Sequence, residues 1–516
     1  MTQPNFLIIM CDQLAGPALP IYGHPVVKTP NLTQLAAEGA VFHNAYCNSP
    51  VCGPSRSSMA AGQLCSRIGT YDNAAEFPSS VPTFAHYLRE MGYQTCVSGK
   101  MHFVGADQLH GFEERLTTDY YPGGFEWTPD WQRPLTERLS WYHQPDSIRM
   151  AGPAKVTMQI DFDNEVCFQA VRKIYDYPRS ADKRPFFLMT SFTQPHDPFN
   201  AEQKYWDLYD HNEIDMPTIG RIPNEELDPH SYRLRQMIGV LEDDVLSDEM
   251  IRNARHAYYG MISYIDAKVG ELVQALKDTE QYDNTIIIFT SDHGDMMGER
   301  GLWYKYSFYE WSAKVPLIFA GPKIQQKQIQ ANVSLVDILP TMVDFASGES
   351  PVPEYAAPID GESLKRPLTT TDTNQMSNTV FAEFLGEGVI APELMIRQGP
   401  YKLIFGQDDP PLLYNIDEDP NELRNLAELA EYDAIKNKLL DLLSKKWDVP
   451  KLKTEIVADQ KKRHLIASAV SKGTRNDKWD FVPAPGTGKS YINMDSDLYN
   501  IELPQMWPQP KTKRIT

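Results

Sequence analysis

Four short apolar runs constrain the fold of this chain more than any other feature, because each ends in a cluster of reactive polar residues. FLIIM (Phe6–Met10) ends in Cys11-Asp12-Gln13, and QTCVSG (Gln94–Gly99) in Lys100-Met101-His102. PFFLMTSF (Pro185–Phe192) leads to Gln194-Pro195-His196-Asp197, and NTIIIFTS (Asn284–Ser291) to Asp292-His293-Gly294-Asp295. Continuous β-branched and aromatic runs of this length suit parallel strands covered on both faces by helices. Helical segments intervene. In VPTFAHYLREMG, Pro82 sits near the start, Phe84, Leu88 and Met91 share a face, and Gly92 ends the run. Ala257–Asp278 is a second helical stretch. Sheets built this way bind ligands beyond the carboxyl ends of their strands, so the four exits are expected to converge on one edge.

The texture changes past about Thr370. KLIFG (Lys402–Gly406) and LLYNI (Leu412–Ile416) read as short strands, and Glu422–Trp447 reads as helical. From about Ser471 the chain is rich in Pro, Lys, Asp and isolated aromatics without an amphipathic period. The expected organisation is therefore a large α/β domain over 1–370, a small α+β domain over 371–470, and an extended tail over 471–516. Such a tail is either disordered or wrapped over another surface, such as a neighbouring subunit.

Composition excludes several partners. A formal charge of −20 argues against nucleic acid, which needs a concentrated basic surface. An anionic substrate would need local positive charge from a metal or placed Lys and Arg, whereas a cationic group is favoured by the overall field. The six cysteines are scattered with no CxxC pair, which suits reduced thiols. The first residues show no secretory pattern, and Phe6–Met10 is too short to span a bilayer. A cytoplasmic protein with no membrane partner is expected.

Asp12, Asp292 and His293 are hard or intermediate ligands at two strand ends, a set that suits Ca²⁺, Mg²⁺ or Mn²⁺. Any one of them alone would more simply be a turn or capping residue. Cys52, in SPVCGPSRSSM, admits three readings. It is a thiolate activated by a helix N-terminus and Arg56, a buried structural cysteine, or the precursor of formylglycine, whose conversion signal is C-x-P-x-R. Lys100 and Lys305 would each by default be surface lysines, but the aromatic stretch Gly301–Ser312 surrounds Lys305.

At this point a resemblance enters. CGPSRSSMAAGQ is similar to the signature of the sulfatase family, and Asp12 and SDHGD stand at the positions expected with it. LVDILPTMVDFA (Leu335–Ala346), DGESL (Asp360–Leu364) and LYNIDEDPNELRNLA (Leu413–Ala427) also resemble sulfatase segments, so the likeness covers most of the first 430 residues. It implies the alkaline-phosphatase superfamily fold: a large, mostly parallel mixed sheet sandwiched by helices, with a smaller C-terminal domain. Within the family, MTQPNFLIIMCDQL, AYCNSPVCGPSR and SFTQPHDPF resemble the bacterial choline-sulfatase branch. The pair Asp12-Gln13 stands where many arylsulfatases have two Asp, and His293 where many sulfatases have Asn. Phosphonate monoester and phosphodiester hydrolases share the Asp-Gln pair.

The resemblance implies hydrolysis of choline O-sulfate with formylglycine at position 52. One divalent cation, Ca²⁺ or alternatively Mn²⁺ or Mg²⁺, would be held by Asp12, position 52, Asp292 and His293. Arg56, Lys100 and Lys305 would neutralise the sulfate oxygens, and His196 with Lys305 would protonate the leaving alcohol. His102 would take the proton that regenerates the aldehyde from the hydrated form, a step that a plain serine or thiol lacks. Asn73, Trp127, Gln144 and Glu383 are the implied choline-pocket residues, joined by Asp497 from a neighbouring subunit, with Asp495 as an alternative register. Trp and Tyr faces, dense in Asp119–Gln132, attract quaternary ammonium. A formylglycine-generating enzyme is the implied maturation partner, and a homodimer or homotetramer the implied assembly. The alternatives are a phosphonate monoester or phosphodiester hydrolase and a non-catalytic choline or sulfate-ester binding protein.

Overall fold

The computed structural model describes residues 3–472, apart from 122, 135, 243–244 and 371–375. Its large sheet has eight strands. They run in the order Lys327–Ser334, Ala40–Tyr46, Leu317–Ala320, Thr285–Ser291, Asn5–Cys11, Phe186–Ser191, Gln94–Gly99 and Glu114–Arg115. All neighbours pair in parallel except Leu317–Ala320, which is antiparallel to both of its partners. The four apolar runs read from the sequence are thus four adjacent strands at the centre of the sheet. Phe6–Met10, Phe187–Met189 and Ile287–Phe289 have no exposed surface, which is why these segments show no polar alternation.

Helices flank this sheet. Met158–Arg179 packs with Asp248–Asp278, while Phe84–Glu90 and Cys52–Ala61 both pack with Ile338–Ser347. The central strands end level with one another. Cys11 pairs with Ser291, Met10 with Ser191, and Gly99 with Ser191. Gly99 sits at φ +110°, and a Cβ there would lie 1.9 Å from the Ser191 carbonyl oxygen, so only glycine permits this close approach. The approach lets the chain turn immediately into Lys100.

A second sheet of four antiparallel strands follows: Thr379–Phe384, Glu393–Gln398, Tyr401–Gly406 and Leu412–Asn415. The helix expected from Glu422 begins only at Asp433. Its first part is diverted by tertiary contacts. Glu422 is buried, ion-pairs with Lys402 at 2.5 Å and accepts from Glu310 N at 2.8 Å. Asn425 Oδ1 accepts from Leu413 N at 2.9 Å, tying the segment to the sheet edge. The last described helix, Val449–Ser471, is capped by the Asp448 side chain accepting from Lys451 N. Asp495 and Asp497 lie outside the described residues.

Candidate active site

Cys52 is the first residue of the helix Cys52–Ala61, and it is 2% exposed. One turn on, Arg56 lies on the same helical face. Its guanidinium touches the ends of all four central strands. Nε donates to Asp292 Oδ2 at 2.8 Å and Nη2 to Asp12 Oδ2 at 3.0 Å. Nη1 donates to the Lys100 carbonyl at 2.5 Å and to Ser191 Oγ at 2.7 Å. A planar fork of five donors suits this task better than a point charge. Ser55 Oγ donates to the Asp292 carbonyl at 2.6 Å, so the helix N-terminus is pinned to the sheet edge by consecutive residues.

Asp12, Cys52, Asp292 and His293 each offer one ligand atom within 4.8 Å of the others, and all four are buried. The donor set fits a divalent cation on this geometry. His293 Nδ1–H donates to the Gly294 carbonyl at 2.9 Å, which leaves the Nε2 lone pair directed at Cys52 Sγ, 3.2 Å away. Burial pushes the Asp292 carboxyl up; Arg56 opposes this and the charge of Asp12 adds to it, so the pair of carboxylates still has room for positive charge. Burial also raises the Cys52 thiol, but the charges of Lys100 and Lys305 oppose it, and the group is held well below the usual thiol range.

Lys100 is fully buried, 2.5 Å from Asp12 Oδ2 and 4.3 Å from the Tyr121 ring centre. His102 is held at φ +58°. Its Nε2–H donates to the Asn73 carbonyl at 3.1 Å, and the ring helps to lower the Cys52 thiol. Asn73 Oδ1 accepts from Gly53 N at 2.8 Å, so this one residue braces both the nucleophile position and His102.

On the opposite side, Lys305 Nζ donates to Gln13 Oε1 at 2.6 Å and to His196 Nε2 at 2.9 Å. His196 Nδ1–H donates to the Asp197 carbonyl at 2.6 Å, which fixes its tautomer. Lys305 Nζ has His143 Nε2 as a third neighbour at 3.3 Å, so the ammonium is held at the cavity wall by three groups. It stands between Tyr304 and Tyr306, both in the left-handed region at φ +65° and +77°; backbone in this region costs energy and recurs at functional sites. His143 Nε2 lies 3.2 Å from Asp197 Oδ1, and its Nδ1 is 2.6 Å from Tyr306 Oη. Burial and Lys305 lower the His143 pKa to about 4, so its ring is neutral.

These groups open onto a cavity of about 320 Å³ floored by Cys52 and walled by Tyr121, Trp127, Trp141 and Tyr142. Asn73 and Gln144 line it as well. Glu383 does not. Its carboxylate accepts from Ser66 N at 2.6 Å and Trp447 Nε1 at 2.7 Å, under the C-terminal helices. The correction has a simple cause: Glu383 belongs to the strand Thr379–Phe384, and the chain reaches the cavity only in the following loop, through Glu387. Glu387 is 2% exposed, its Oε2 has no hydrogen-bond partner among the described residues, and burial pushes its carboxyl up to about 7. Gln13 was read from the sequence only as a family marker, and His143, Asp197 and Glu387 were given no role there. Gln13 and Asp197 lie in the same strand exits as Asp12 and His196, so the exits themselves carried the signal.

A sequence model of the family described as Sulfatase matches residues 4–348, and one described as N-sulphoglucosamine sulphohydrolase, C-terminal, matches residues 298–448. The choline-sulfatase of Rhizobium meliloti (strain 1021) is 43% identical over 98% of this chain and 99% of its own length. The arylsulfatase of Clostridium perfringens is 29% identical over 83% of this chain and 91% of its own. Among solved structures, the phosphonate monoester hydrolase of Agrobacterium radiobacter superposes with a TM-score of 0.68 at 25% identity, covering 88% of this chain and 96% of that one.

Proposed function

The chain belongs to the sulfatase family, and from that premise we propose that it hydrolyses choline O-sulfate to choline and sulfate. The observation that carries this reading is the full-length likeness to the Rhizobium meliloti choline-sulfatase. The cavity's chemistry supports it independently: aromatic faces with a buried carboxylate suit a quaternary ammonium, and the far end, with Lys305 in its lining and Lys100 buried beside Asp12, suits a sulfate.

Asp12, position 52, Asp292 and His293 would hold the cation, which we assign as Ca²⁺ on its carboxylate oxygens. When bound, it supplies Lewis-acid stabilisation of sulfate oxygen charge. Formylglycine at position 52 would supply a hydrated aldehyde, a nucleophile whose attachment is reversible where that of a plain serine or thiol is not. The chain's own groups do the rest. Lys100 and Lys305 offer fixed positive charge to the sulfate oxygens, and Arg56 holds both metal carboxylates in register. His196 Nε2 and Lys305 Nζ, 2.9 Å apart, hold a proton for the departing choline oxygen. His102 takes the proton that must leave position 52 to restore the aldehyde.

Maturation by a formylglycine-generating enzyme belongs to the same reading. So does a homodimer or homotetramer; the Asp497 contribution expected from the sequence lies outside the described residues. Among the described residues, no helix is long and apolar enough to cross a membrane. The superposition on a phosphonate monoester hydrolase keeps that ester class as the second reading.

Glu387 gives a direct test. Its carboxyl, raised to about 7, is protonated below that pH in the empty cavity and ionised above it. A cationic ligand binds the ionised form, so affinity for choline is expected to weaken as pH falls through 7. Glu387→Gln should remove this dependence and weaken choline by roughly tenfold or more. Inhibition by choline measured from pH 6 to 9 would check it. A choline constant that ignores both pH and the substitution would count against the ammonium site.

A further inference from the structure

The C-terminal helix Val449–Ser471 buries Leu452, Ile456, Gln460 and Arg463, so two of its four inward positions are polar. A helix that merely packs would place apolar residues there. Both polar side chains act on the segments that wall the cavity. Arg463 grips Asp72 in a bidentate pair, Nη1 to Oδ1 at 2.7 Å and Nη2 to Oδ2 at 2.6 Å, and Nη1 also donates to Thr128 Oγ1 at 3.1 Å. Its Nε donates to Asp459 Oδ2 at 2.7 Å, which fixes the guanidinium from behind. Gln460 Oε1 accepts from Trp131 N at 3.1 Å, and the Trp131 indole donates to the Gly386 carbonyl at 2.8 Å.

The Arg463 contacts fall one residue from a cavity wall, and Gln460 reaches a third such point through Trp131. Asp72 precedes Asn73, Thr128 follows Trp127, and Gly386 precedes Glu387. Asp72 and Arg463 are 1% and 4% exposed, so neither charge has water to fall back on if the pair separates. The three wall residues come from distant parts of the chain, and one helix ties their neighbours together.

We propose that Arg463, seconded by Gln460, is a positioning residue for the alcohol end of the substrate: the C-terminal helix sets Asn73, Trp127 and Glu387 into one rigid ammonium-binding wall. The role rests on the choline reading above. Because Asn73 also braces Gly53 and His102, turnover falls too when the wall loosens. Two product inhibition constants separate the ends of the site, choline reporting the wall and inorganic sulfate the nucleophile end.

The experiment measures both constants for the full-length wild type, Arg463→Met, Arg463→Lys and Gln460→Leu. Arg463→Met is expected to weaken choline by roughly tenfold or more, about the size of one lost ammonium–ring contact, with the sulfate constant moved far less. Arg463→Lys recovers part of the loss, because a lysine keeps the charge but not the fork. Gln460→Leu shifts choline in the same direction by less, and it decides the matter if Arg463→Met does not fold. Equal weakening of both products, or unchanged choline inhibition in folded variants, overturns the positioning role. A wild type inhibited by sulfate but indifferent to choline overturns the choline reading and this role with it.

Discussion

Cys52→Ala is expected to abolish sulfate release, lowering kcat/KM by about 10⁴-fold or more, as loss of a covalent nucleophile does elsewhere. The fold should survive. Position 52 opens a helix whose N-terminus is also fixed by Ser55 on the Asp292 carbonyl and by Arg56 on all four strand ends. Trimming one sulfur from that site costs about 1 kcal/mol of packing. Sulfate release assayed beside circular dichroism separates the two effects. A folded variant that still turns over would mean that the attacking group lies elsewhere.

Lys305→Ala carries the second large effect, and its size should depend on the leaving group. Choline oxygen is a poor leaving group and departs only with a proton, whereas a nitrophenolate departs nearly unaided. Lys305 Nζ, 2.9 Å from His196 Nε2 and 2.6 Å from Gln13 Oε1, is held at the point of that transfer. Removing it is expected to cost about 10³-fold in kcat on choline O-sulfate, combining lost proton transfer with lost stabilisation of charge. On 4-nitrophenyl sulfate only the electrostatic part remains, about 10²-fold or less. Equal losses on the two esters would assign Lys305 to the sulfate oxygens alone.

Much of this site was legible because two physical regularities leave clear marks in sequence. Strands buried on both faces read as unbroken apolar runs, and in a parallel sheet their carboxyl ends share one edge. Asp12, Lys100, His196 and Asp292 could therefore be grouped before any contact was known, and the structure sets these exits on one register line. The signature around Cys52 has a helix start and an arginine one turn on, which is the geometry observed.

What was not legible depended on tertiary context. Glu383 and Glu387 are four residues apart and chemically identical, and only the end of the strand at Phe384 decides which reaches the cavity. Glu422–Tyr432 has helical composition, yet Glu422 and Asn425 bind across to Lys402 and Leu413 instead. The C-terminal helix hides its inward face, since Gln460 and Arg463 stand where a periodic apolar stripe would need leucine. His143 gives no local signal at all; its meaning comes from Asp197 and Tyr306, both distant in sequence.

The central claim is the substrate. It is tested most directly by comparing kcat/KM for choline O-sulfate and for a phenyl phosphonate monoester on the same protein, with formylglycine at position 52 verified by intact peptide mass. A cavity that offers a buried carboxylate and aromatic faces to the ammonium should favour choline O-sulfate by roughly a thousandfold, the scale at which a site built for one polar group rejects a substrate lacking it. Equal rates, or a preference for the phosphonate, would contradict it.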